Sequence, residues 1–324
     1  MVVPTVPTPG EQPRVAVVVV TWNGAHLLRQ CLDSLRAQTL PHDVLVVDNA
    51  STDATEELLA TRYPEARVIR LRSNTGFAGG AQAGLGAITT EYVAFLNNDA
   101  VADPDWLHFL VRALDADPSL AAVTSRMLLA SDRRVNNAGG ALTNWGVGYD
   151  RGYGAPDGPP YDESVDVAAF SGGAAALRVD DAKRVGGFDA TFFLYYEDTD
   201  LSWRLGTVGR RIRYVPEAIV YHQHSASADQ TSEAFAFYNQ RNQLLMLVRN
   251  APASLVAGAF VRFLVVTAIG LVRRRSGHTD RLGHRLRVLW AVARQLPRRM
   301  RERRQIGRTA VVSRRQFCRT WLGN

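Results

Sequence analysis

The sequence predicts an α/β protein built on a mostly parallel β-sheet flanked by helices. Three observations support this fold class: an ordinary globular composition, short runs of β-branched residues, and strand and helix patterns that alternate four times within roughly 90 residues. Of the 324 residues, 46% are hydrophobic and 21% are charged, which excludes collagen-like, disordered and coiled-coil proteins. A chain of this length forms one large domain, or one domain with an extension.

The alternating elements begin at residue 15. The predicted strands are Val15–Thr21, Val44–Val47, Arg67–Leu71 and Tyr92–Leu96. The predicted helices are Ala25–Gln38, Asp53–Ala60 and Ala78–Ile88. The first strand, VAVVVVT, is β-branched almost throughout, which is typical of a strand buried on both faces. The first helix carries apolar residues at the spacing of an amphipathic helix, namely Leu27, Leu28, Cys31, Leu32 and Leu35.

The second half of the chain has a mixed pattern. It predicts, in order, a helix at Asp105–Ala116, a strand at Ala121–Met127, a loop over residues 139–164, a strand at Val165–Arg178 broken by Ser171-Gly172-Gly173, a helix at Asp198–Gly206 and a strand at Ala218–Tyr221. Beyond Phe235 the sequence is helical and then rich in arginine. We therefore expect the sheet to be followed by a basic, helical C-terminal extension.

The formal net charge of +7 conceals a strong asymmetry. Residues 241–324 contain 19 Arg and two acidic residues, so this segment carries +17 and the remainder of the chain −10. Such a basic segment fits either nucleic acid or an anionic membrane. Two cysteines, Cys31 and Cys318, are too few for a disulfide framework or a cysteine-rich zinc site. Residues 1–13 lack the features of a signal peptide, so we expect a disordered lead-in and a cytoplasmic protein.

Polar residues gather where the predicted parallel strands end. They form the segments Thr21-Trp22-Asn23, Asp48-Asn49-Ala50-Ser51-Thr52-Asp53 and Asn97-Asn98-Asp99. Open α/β sheets bind ligands at the carboxyl ends of their strands, so we expect Asp48 and Asp99 to face one crevice. Helix capping is the alternative for any single Asp after a strand, and it stays open for Asp53.

A glycine-rich turn, Asn74-Thr75-Gly76-Phe77-Ala78-Gly79-Gly80, precedes the third predicted helix. Such a turn brings backbone N–H groups close to a phosphate, although glycines also simply form turns. The segment matches neither the GxGxxG dinucleotide pattern nor the GxxxxGK[ST] phosphate loop. This mismatch argues against a nicotinamide enzyme or a nucleoside triphosphatase.

Three carboxylates, Glu197, Asp198 and Asp200, follow the aromatic run FFLYY directly. Burial beside aromatic side chains raises the pKa of a carboxylic acid, as a general base requires. We expect Asp198 to take part in chemistry, and Asp200 to belong to the acidic first turn of a helix. His222 follows a strand, and it is either structural or a ligand of a divalent cation held with Asp99.

Seven segments, taken together and in this order, resemble the inverting glycosyltransferase family 2 with the GT-A fold. They are VAVVVVTWNG, VVDNASTD, NTGFAGGAQAG, FLNNDAVADPDWL, SGGAAALR, GGFDATFFLYYEDTDLSWRLG and VYH. The resemblance covers about residues 14–245, and more narrowly it is to the bacterial rhamnosyltransferase-like branch. It implies a GT-A domain over residues 14–245 with a Rossmann-like half that binds the nucleotide-sugar.

The resemblance also implies the donor and metal residues. Asp48 matches the acid that holds the nucleobase, with Thr21 and Asn23 in the same pocket. The segment Asn97-Asn98-Asp99 matches the DxD-type motif, whose last Asp binds Mg²⁺ or Mn²⁺ and thereby the diphosphate. Because the first position is Asn, the metal would rest chiefly on Asp99. We place three further residues on the nucleotide-sugar side: Asn49, Asn74 and Gly76.

On the acceptor side, Glu197-Asp198 matches the acidic motif that holds the base, and Asp198 is our choice for the base itself. His222 matches a histidine that completes the metal shell in some relatives. We expect Gly172 and Gly173 to lie on the acceptor side. In this mechanism the carboxylate takes the proton of the acceptor hydroxyl, and attack opposite the leaving group inverts the anomeric centre.

The C-terminal segment, residues 246–324, is expected to form a helical, Arg-rich unit that associates with membranes. Ser254–Val272 is 19 residues long and approaches the length of a membrane span, but Arg262 near its centre makes insertion marginal. A stripe flanked by arginines follows: Leu282, Leu286, Leu289, Trp290, Ala293 and Leu296. This pattern is typical of a helix that lies in an anionic headgroup layer. A pair of helices packed on the catalytic domain with a solvated basic face is the alternative.

These expectations combine into one hypothesis. The chain transfers a sugar, L-rhamnose from dTDP-rhamnose by preference, to a hydroxyl of a lipid-linked or cell-envelope glycan, as a peripheral or monotopic protein at the inner face of the plasma membrane. Donors of the UDP-hexose or UDP-N-acetylhexosamine type are the alternative. A nucleic-acid-binding protein that uses the Arg-rich tail is disfavoured by the acidic body and by the lack of a recognised binding module. The oligomeric state is not predicted.

Overall fold

A computed structural model describes residues 13–223, 232–272 and 282–323. The disordered lead-in expected for residues 1–13 lies outside these ranges except for residue 13, and so do residues 273–281 of the basic tail.

The elements alternate from the first strand onward. The strands are β1 (Val15–Thr21), β2 (Asp43–Asp48), β3 (Arg67–Arg70), β4 (Tyr92–Leu96), β5 (Ala100–Ala102), β6 (Leu120–Leu129), β7 (Val135–Asn137), β8 (Gly140–Leu142), β9 (Gly148–Asp150), β10 (Ala174–Arg178) and β11 (Arg211–His222). The helices are α1 (Ala25–Arg36), α2 (Thr55–Arg62), α3 (Gly76–Ala87), α4 (Trp106–Ala116), α5 (Val179–Arg184), α6 (Glu197–Thr207), α7 (Glu233–Asn250), α8 (Ala253–Val272), α9 (Leu282–Thr309) and α10 (Arg314–Trp321).

One large sheet has the order β3-β2-β1-β4-β10-β6-β11-β5, and β7 pairs with β6 at its side. The half β3-β2-β1-β4 is parallel throughout, as the alternation of strand and helix predicts. In the other half, β10 lies antiparallel between β4 and β6, and β11 runs parallel to β6. The sheet is therefore mixed, and the parallel half brings the ends of β1, β2 and β4 to one edge.

Two predictions for the second half are corrected. The expected loop over residues 139–164 contains a hairpin of β8 and β9, whose three-residue strands are too short to show a period in the sequence. The expected strand over residues 165–178 is a strand only as β10. Its first part is largely buried but forms only isolated backbone hydrogen bonds with different partners. The N–H of Val167 donates to the Ile212 carbonyl, and that of Ala169 donates to the Gly140 carbonyl.

Alternate residues of β1 lie in different cores. Val15, Val17 and Val19 pack with α1 and α4 on one face of the sheet, whereas Ala16 and Val18 pack with α3 on the other. All five are at most 1% exposed, so β1 is buried on both faces, as predicted. A third apolar cluster joins α6 to α7, α8, α9 and α10. The expected boundary between residues 245 and 246 falls inside α7.

Candidate active site

The ends of β1 and β4 are joined by a buried hydrogen bond. Thr21 Oγ1 accepts from Asn98 Nδ2 at 3.0 Å, and both side chains are buried. Two residues further along, the backbone of Asn23 adopts a left-handed conformation, with φ = 50°. Its Oδ1 accepts from the Thr52 N–H at 2.7 Å, which ties the loop after β1 to the loop after β2. The structure thus places Thr21, Asn23 and Asn98 at one edge of the sheet.

Asp48 ends β2 and is 1% exposed. Its Oδ1 accepts from the Ser51 N–H at 2.9 Å, and Arg70 Nε lies 3.5 Å from its Oδ2. A single ion pair at this distance leaves acceptor capacity on the carboxylate for a ligand group. The Asp48 carboxylate can therefore accept a further hydrogen bond from a ligand at the sheet edge.

The question left open for Asp53 is answered by its contacts. Its carboxylate accepts from the N–H of Thr55, the first residue of α2, and from the N–H of Ala25, the first residue of α1, both at 3.1 Å. One side chain therefore stabilises two helix N-termini. Asp53 has a structural role.

The glycine-rich turn forms an internal support. Asn49 donates to the Gly76 carbonyl oxygen and accepts from the Thr75 N–H, and Asn74 accepts from the Gly76 N–H. The N–H of Ala78 donates to the Phe193 carbonyl oxygen at 3.1 Å. These three N–H groups are bound within the chain, so they support the shape of the turn. The placement of Asn49, Asn74 and Gly76 on the nucleotide-sugar side stays a prediction.

Asp99 and His222 meet where β5 pairs with β11. Nε2 of His222 lies 3.0 Å from Oδ1 of Asp99, and Asn97 Nδ2 lies 3.2 Å from the same nitrogen. Nδ1 of His222 faces Oδ1 of Asn136 at 2.8 Å, and this contact helps to orient the ring so that Nε2 faces the carboxylate of Asp99.

This pair fits a divalent cation. Carboxylate oxygen and imidazole nitrogen are ligands that Mn²⁺ accepts, and a separation of 3.0 Å suits two ligands of one ion. Within residues 13–223, 232–272 and 282–323, no group of three or more His, Cys, Asp or Glu lies together as a metal cage. A cation held by Asp99 and His222 would thus depend on ligands from a bound molecule.

Asp198 lies in the first turn of α6. Its Oδ2 accepts from the Gly172 N–H at 3.0 Å and its Oδ1 from the Thr199 N–H at 2.6 Å. Burial raises the pKa of Asp198 above the ordinary value, and these hydrogen bonds only partly offset that effect. The neighbouring Gly173 comes close to Asn97 Nδ2, since a Cβ added there would lie 3.1 Å from that atom. The two glycines therefore connect Asp198 to the end of β4.

Glu197 is 6% exposed, and its Oε2 has no hydrogen-bond partner within the described part of the chain. Burial first, and then the negative charge of Asp198, raise the pKa of Glu197 well above its usual range. In this pair Glu197 favours its neutral form, and the half-buried carboxylate of Asp198 lies beside it.

A cavity of about 180 Å³ opens beside these two acids. Its wall brings together β9, α6 and α7, with polar and aromatic side chains that include Tyr149, Asp150, Ser171, Tyr195 and Asn239. A wall that combines aromatic rings with several polar groups offers a hydroxyl-bearing ligand both a packing surface and hydrogen-bond partners. No local pattern in the sequence signals Tyr149, Asp150 and Asn239, because the hairpin and the helix that carry them are far from the acids in the chain.

Asp200 lies in the acidic first turn of α6, as expected, and its contacts give it a further role. It is fully buried, accepts from Arg204 Nε at 2.9 Å, and lies 2.8 Å from Arg249 Nη1. Burial opposes ionisation, but the charges of Arg249 and Arg204 lower the pKa of Asp200 below its usual value. Asp200 thus forms buried structural ion pairs with Arg204 and Arg249. The sequence does not predict the pair with Arg249, because that residue lies 49 positions away in the chain.

Residues 16–171 match the sequence profile of glycosyl transferase family 2. The chain is 29% identical over 269 residues to the pre-mycofactocin glycosyltransferase of Mycobacterium tuberculosis, which covers 81% of this chain and 54% of that protein. It is 28% identical over 254 residues to the N-acetylglucosaminyl-diphospho-decaprenol L-rhamnosyltransferase of the same species, covering 68% of this chain and 80% of the relative. The chain thus spans about half the length of the first of these relatives.

Solved structures share the fold. The mannosyltransferase PcManGT from Pyrobaculum calidifontis, in complex with GDP-Man and Mn²⁺, is similar with a TM-score of 0.54 and 20% identity, over 90% of this chain and 89% of that one. GalNAc-T7 with UDP, GalNAc and Mn²⁺ is similar with a TM-score of 0.61 and 16% identity, over 79% of this chain and 50% of that one. These likenesses confirm the predicted GT-A fold.

Proposed function

Because the chain belongs to glycosyl transferase family 2, we propose that it is an inverting glycosyltransferase that moves a sugar from a nucleoside diphosphate to a hydroxyl of a cell-envelope glycan. The observation that carries this proposal is the position of Asp198. Its carboxylate lies on the wall of a cavity of about 180 Å³, is held by Gly172, and has a raised pKa. A base of this kind, in reach of a bound hydroxyl, is what activates an acceptor.

In this mechanism the acceptor enters the cavity and Asp198 takes the proton of its hydroxyl. The oxygen attacks the anomeric carbon from the face opposite the diphosphate, so the new bond has inverted configuration. Glu197 favours its neutral form, and this limits the repulsion between two adjacent carboxylates. Gly172 and Gly173 would lie on the acceptor side, because the Gly172 N–H holds Asp198 and the preceding Ser171 lines the cavity.

The donor side is proposed at the ends of β1, β2 and β4. Asp48 would accept a hydrogen bond from the nucleobase, with Thr21 and Asn23 in the same pocket. Asp99 and His222 would hold Mg²⁺ or Mn²⁺, which when bound neutralises charge on the departing diphosphate. The segment Asn97-Asn98 links this pair to Thr21 and Gly173.

The donor sugar is proposed to be L-rhamnose from dTDP-rhamnose. This choice is supported by the resemblance to the rhamnosyltransferase-like branch and by the relative that is named as a decaprenol L-rhamnosyltransferase. A UDP-hexose or UDP-N-acetylhexosamine is the alternative, since the structural neighbours include proteins solved with UDP. A cell-envelope role is supported by relatives named for O-antigen and succinoglycan biosynthesis.

The acceptor is proposed to be lipid-linked, because α8 and α9 present an apolar surface. In the described part of the chain, one helix, at Ala253–Gly270, is long and apolar enough to cross a membrane. Five apolar side chains of α8 are more than a third exposed: Val261, Leu264, Val265, Val266 and Ile269. On α9 the exposed members of the predicted stripe include Leu282, Leu286 and Trp290.

We therefore propose a peripheral or monotopic attachment to an anionic membrane at the cytoplasmic face, rather than a complete span. α8 packs on the protein through Ala259 and Phe263, and Arg262 lies 5.3 Å from the ring centre of Trp145. A helix that keeps one face on the protein is suited to lie at a surface. No nucleic-acid partner is proposed.

A thermal-shift panel tests the proposed function. Binding to the folded state alone raises the melting temperature by mass action. We expect dTDP-rhamnose to stabilise the protein, and to do so more strongly with Mn²⁺ than with a chelator. A stronger response to a UDP-sugar would select the alternative donor, and the absence of any response to both nucleotide classes would contradict the proposal.

A further inference from the structure

The segment that precedes the two acids of α6 has an unusual backbone. Phe193, Tyr195 and Tyr196 have φ values of 66°, 69° and 69°. Bulky residues with a β-carbon avoid this left-handed region and adopt it only where their surroundings hold the backbone there. Three such residues lie within four positions, directly before Glu197 and Asp198. The position of the base therefore depends on whatever holds this segment.

Asn242 of α7 holds the segment from one side. Its side chain is fully buried, and its Nδ2 lies 2.9 Å from the carbonyl oxygen of Phe192, 2.7 Å from that of Leu194 and 2.8 Å from that of Tyr195. The two N–H bonds of this amide are thus shared among three backbone acceptors. The Phe192 carbonyl also accepts from the Leu194 N–H at 2.8 Å, so loss of the amide would bear chiefly on the carbonyl groups of Leu194 and Tyr195.

Arg241, the residue before it, adds two contacts to the same segment. Its Nη2 donates to the carbonyl oxygens of Thr191 and Phe192 at 2.9 and 2.8 Å, and its Nε donates to Asn242 Oδ1 at 2.8 Å. The Nε contact fixes the orientation of the Asn242 amide, so that Nδ2 faces the three carbonyl groups. The two residues act as one clamp.

Residues 192–195 are also held at both ends, and on the side that faces α3. Arg249 Nη1 lies 3.2 Å from Asp189 and 2.8 Å from Asp200, so one guanidinium bridges the residues that flank the segment. The Phe193 carbonyl accepts from Ala78, in the first turn of α3. The segment therefore lies between the supports of the donor side and the helix that carries the base.

We propose that Asn242 is a positioning residue for the transfer reaction: it holds residues 192–195 so that the Asp198 carboxylate faces the cavity. This inference rests on the proposed function and deepens it. Asn242 does not line the cavity, whereas Asn239, one turn earlier on α7, does. A loss of Asn242 should therefore act on the chemical step and leave donor binding at the sheet edge intact.

The test compares Asn242→Asp with Gln243→Glu in the full chain. Asn242→Asp keeps the shape of the side chain but replaces the donor with a carboxylate that faces three carbonyl oxygens. Gln243→Glu makes the same change of charge on the next residue of α7. Gln243 is half-buried, and within the described residues its side chain forms no hydrogen bond with residues 192–195. The assay measures release of nucleoside diphosphate from the donor identified in the thermal-shift panel, together with the Kd of the nucleoside diphosphate.

We expect Asn242→Asp to lower kcat by about 10- to 100-fold while the Kd stays within about twofold of the wild-type value, and Gln243→Glu to leave both unchanged. Equal kcat values for Asn242→Asp and the wild type, or a parallel loss in the control, would overturn the inference. Turnover by the wild type tests the proposed function separately. If the wild type turns over no donor, the proposed function is contradicted, whatever the variants do.

Arg241→Met covers the case in which Asn242→Asp does not fold. This variant keeps the aliphatic stem and removes the two contacts to Thr191 and Phe192. We therefore expect kcat to fall less than in Asn242→Asp, again with an unchanged Kd. If Arg241→Met folds with normal kcat, or if neither variant yields folded protein, the two residues serve the fold as a whole and the positioning role is overturned.

Discussion

Nε2 of His222 lies 3.0 Å from Oδ1 of Asp99, although 123 residues separate them in the chain. The antiparallel pairing of β5 with β11 brings them together, because it sets His222 opposite Ala100. Asn136 orients the imidazole from the other side, at 2.8 Å from Nδ1. This pair is our proposed site for a divalent cation, which would take further ligands from a bound diphosphate.

This pair predicts that nucleotide binding depends on a divalent cation. A chelator should weaken binding of the nucleoside diphosphate, and Mn²⁺ should restore it. His222→Ala should lower the affinity in the presence of Mn²⁺ by at least about tenfold, as the loss of an interaction at a metal site does. His108→Ala, an exposed histidine on α4, is the control and should bind normally in isothermal titration. Equal affinities with Mn²⁺ and with the chelator would contradict the assignment.

The raised pKa of Asp198 predicts the acid limb of the rate profile. A base must be ionised, so the rate falls as the pH falls through the pKa of Asp198. Burial places that pKa above the ordinary value of 3.8, and the rate should decline at a higher pH than an exposed aspartate would allow. Measurement of kcat/KM from about pH 4 to pH 8 checks this. A profile that stays flat to the lowest pH at which the protein is folded would argue against Asp198 as the base.

Glu197→Gln should change how stability depends on pH. Burial and the charge of Asp198 raise the pKa of Glu197 in the folded state, so the folded protein binds this proton more tightly than the unfolded chain does. Stability from this group is therefore present below the ordinary pKa of 4.5 and is lost as the pH rises through the folded value. Gln does not titrate.

The variant should therefore gain unfolding free energy relative to the wild type as the pH rises from 4 to 8. Denaturant unfolding at both pH values measures this difference. Glu217→Gln, at an exposed site on β11, should show no such difference. A stability difference between Glu197→Gln and the wild type that is the same at both pH values would contradict the assigned pKa shift.

The apolar surface of α8 and α9 predicts binding to anionic vesicles. The double variant Leu286→Asp and Trp290→Asp adds charge to two side chains that are 54% and 60% exposed, so it should reduce flotation with such vesicles at least about tenfold. Val311→Asp is the matched control, because Val311 is 78% exposed but lies outside both helices. Unchanged flotation of the double variant would exclude this surface as the membrane contact.

Local patterns were sufficient to predict most of the fold. The strand β1 runs over the predicted residues, because its continuous β-branched run is a local signal. The first four helices begin within two residues of their predicted starts. The short strands β5, β8 and β9 could not be predicted, since three residues show no period. The pairing of β5 also depends on a distant partner, His222.

The candidate site was predicted where it follows strand ends and was missed where it depends on tertiary contacts. Asp48, Asp99 and Asp198 were all singled out by their positions in the sequence. The contacts of Asn242 with residues 192–195 join parts of the chain some 50 residues apart, and no local pattern signals them. The charge asymmetry alone overstates the basic surface of the C-terminal segment. Two of its arginines, Arg249 and Arg299, are buried against Asp189.

The most direct test of the account is transfer of labelled sugar by the wild type and by Asp198→Asn. Labelled dTDP-rhamnose, and a UDP-sugar in parallel, would be incubated with each protein, Mn²⁺ and a membrane extract that supplies the lipid-linked acceptor. Asp180→Asn, at an exposed acid on α5, is the control.

The account predicts that the wild type and the control transfer label to the lipid fraction, and that Asp198→Asn does so at least about 100-fold more slowly while it still binds the nucleotide. Near-normal transfer by Asp198→Asn, or no transfer by the wild type from either donor class, would contradict it.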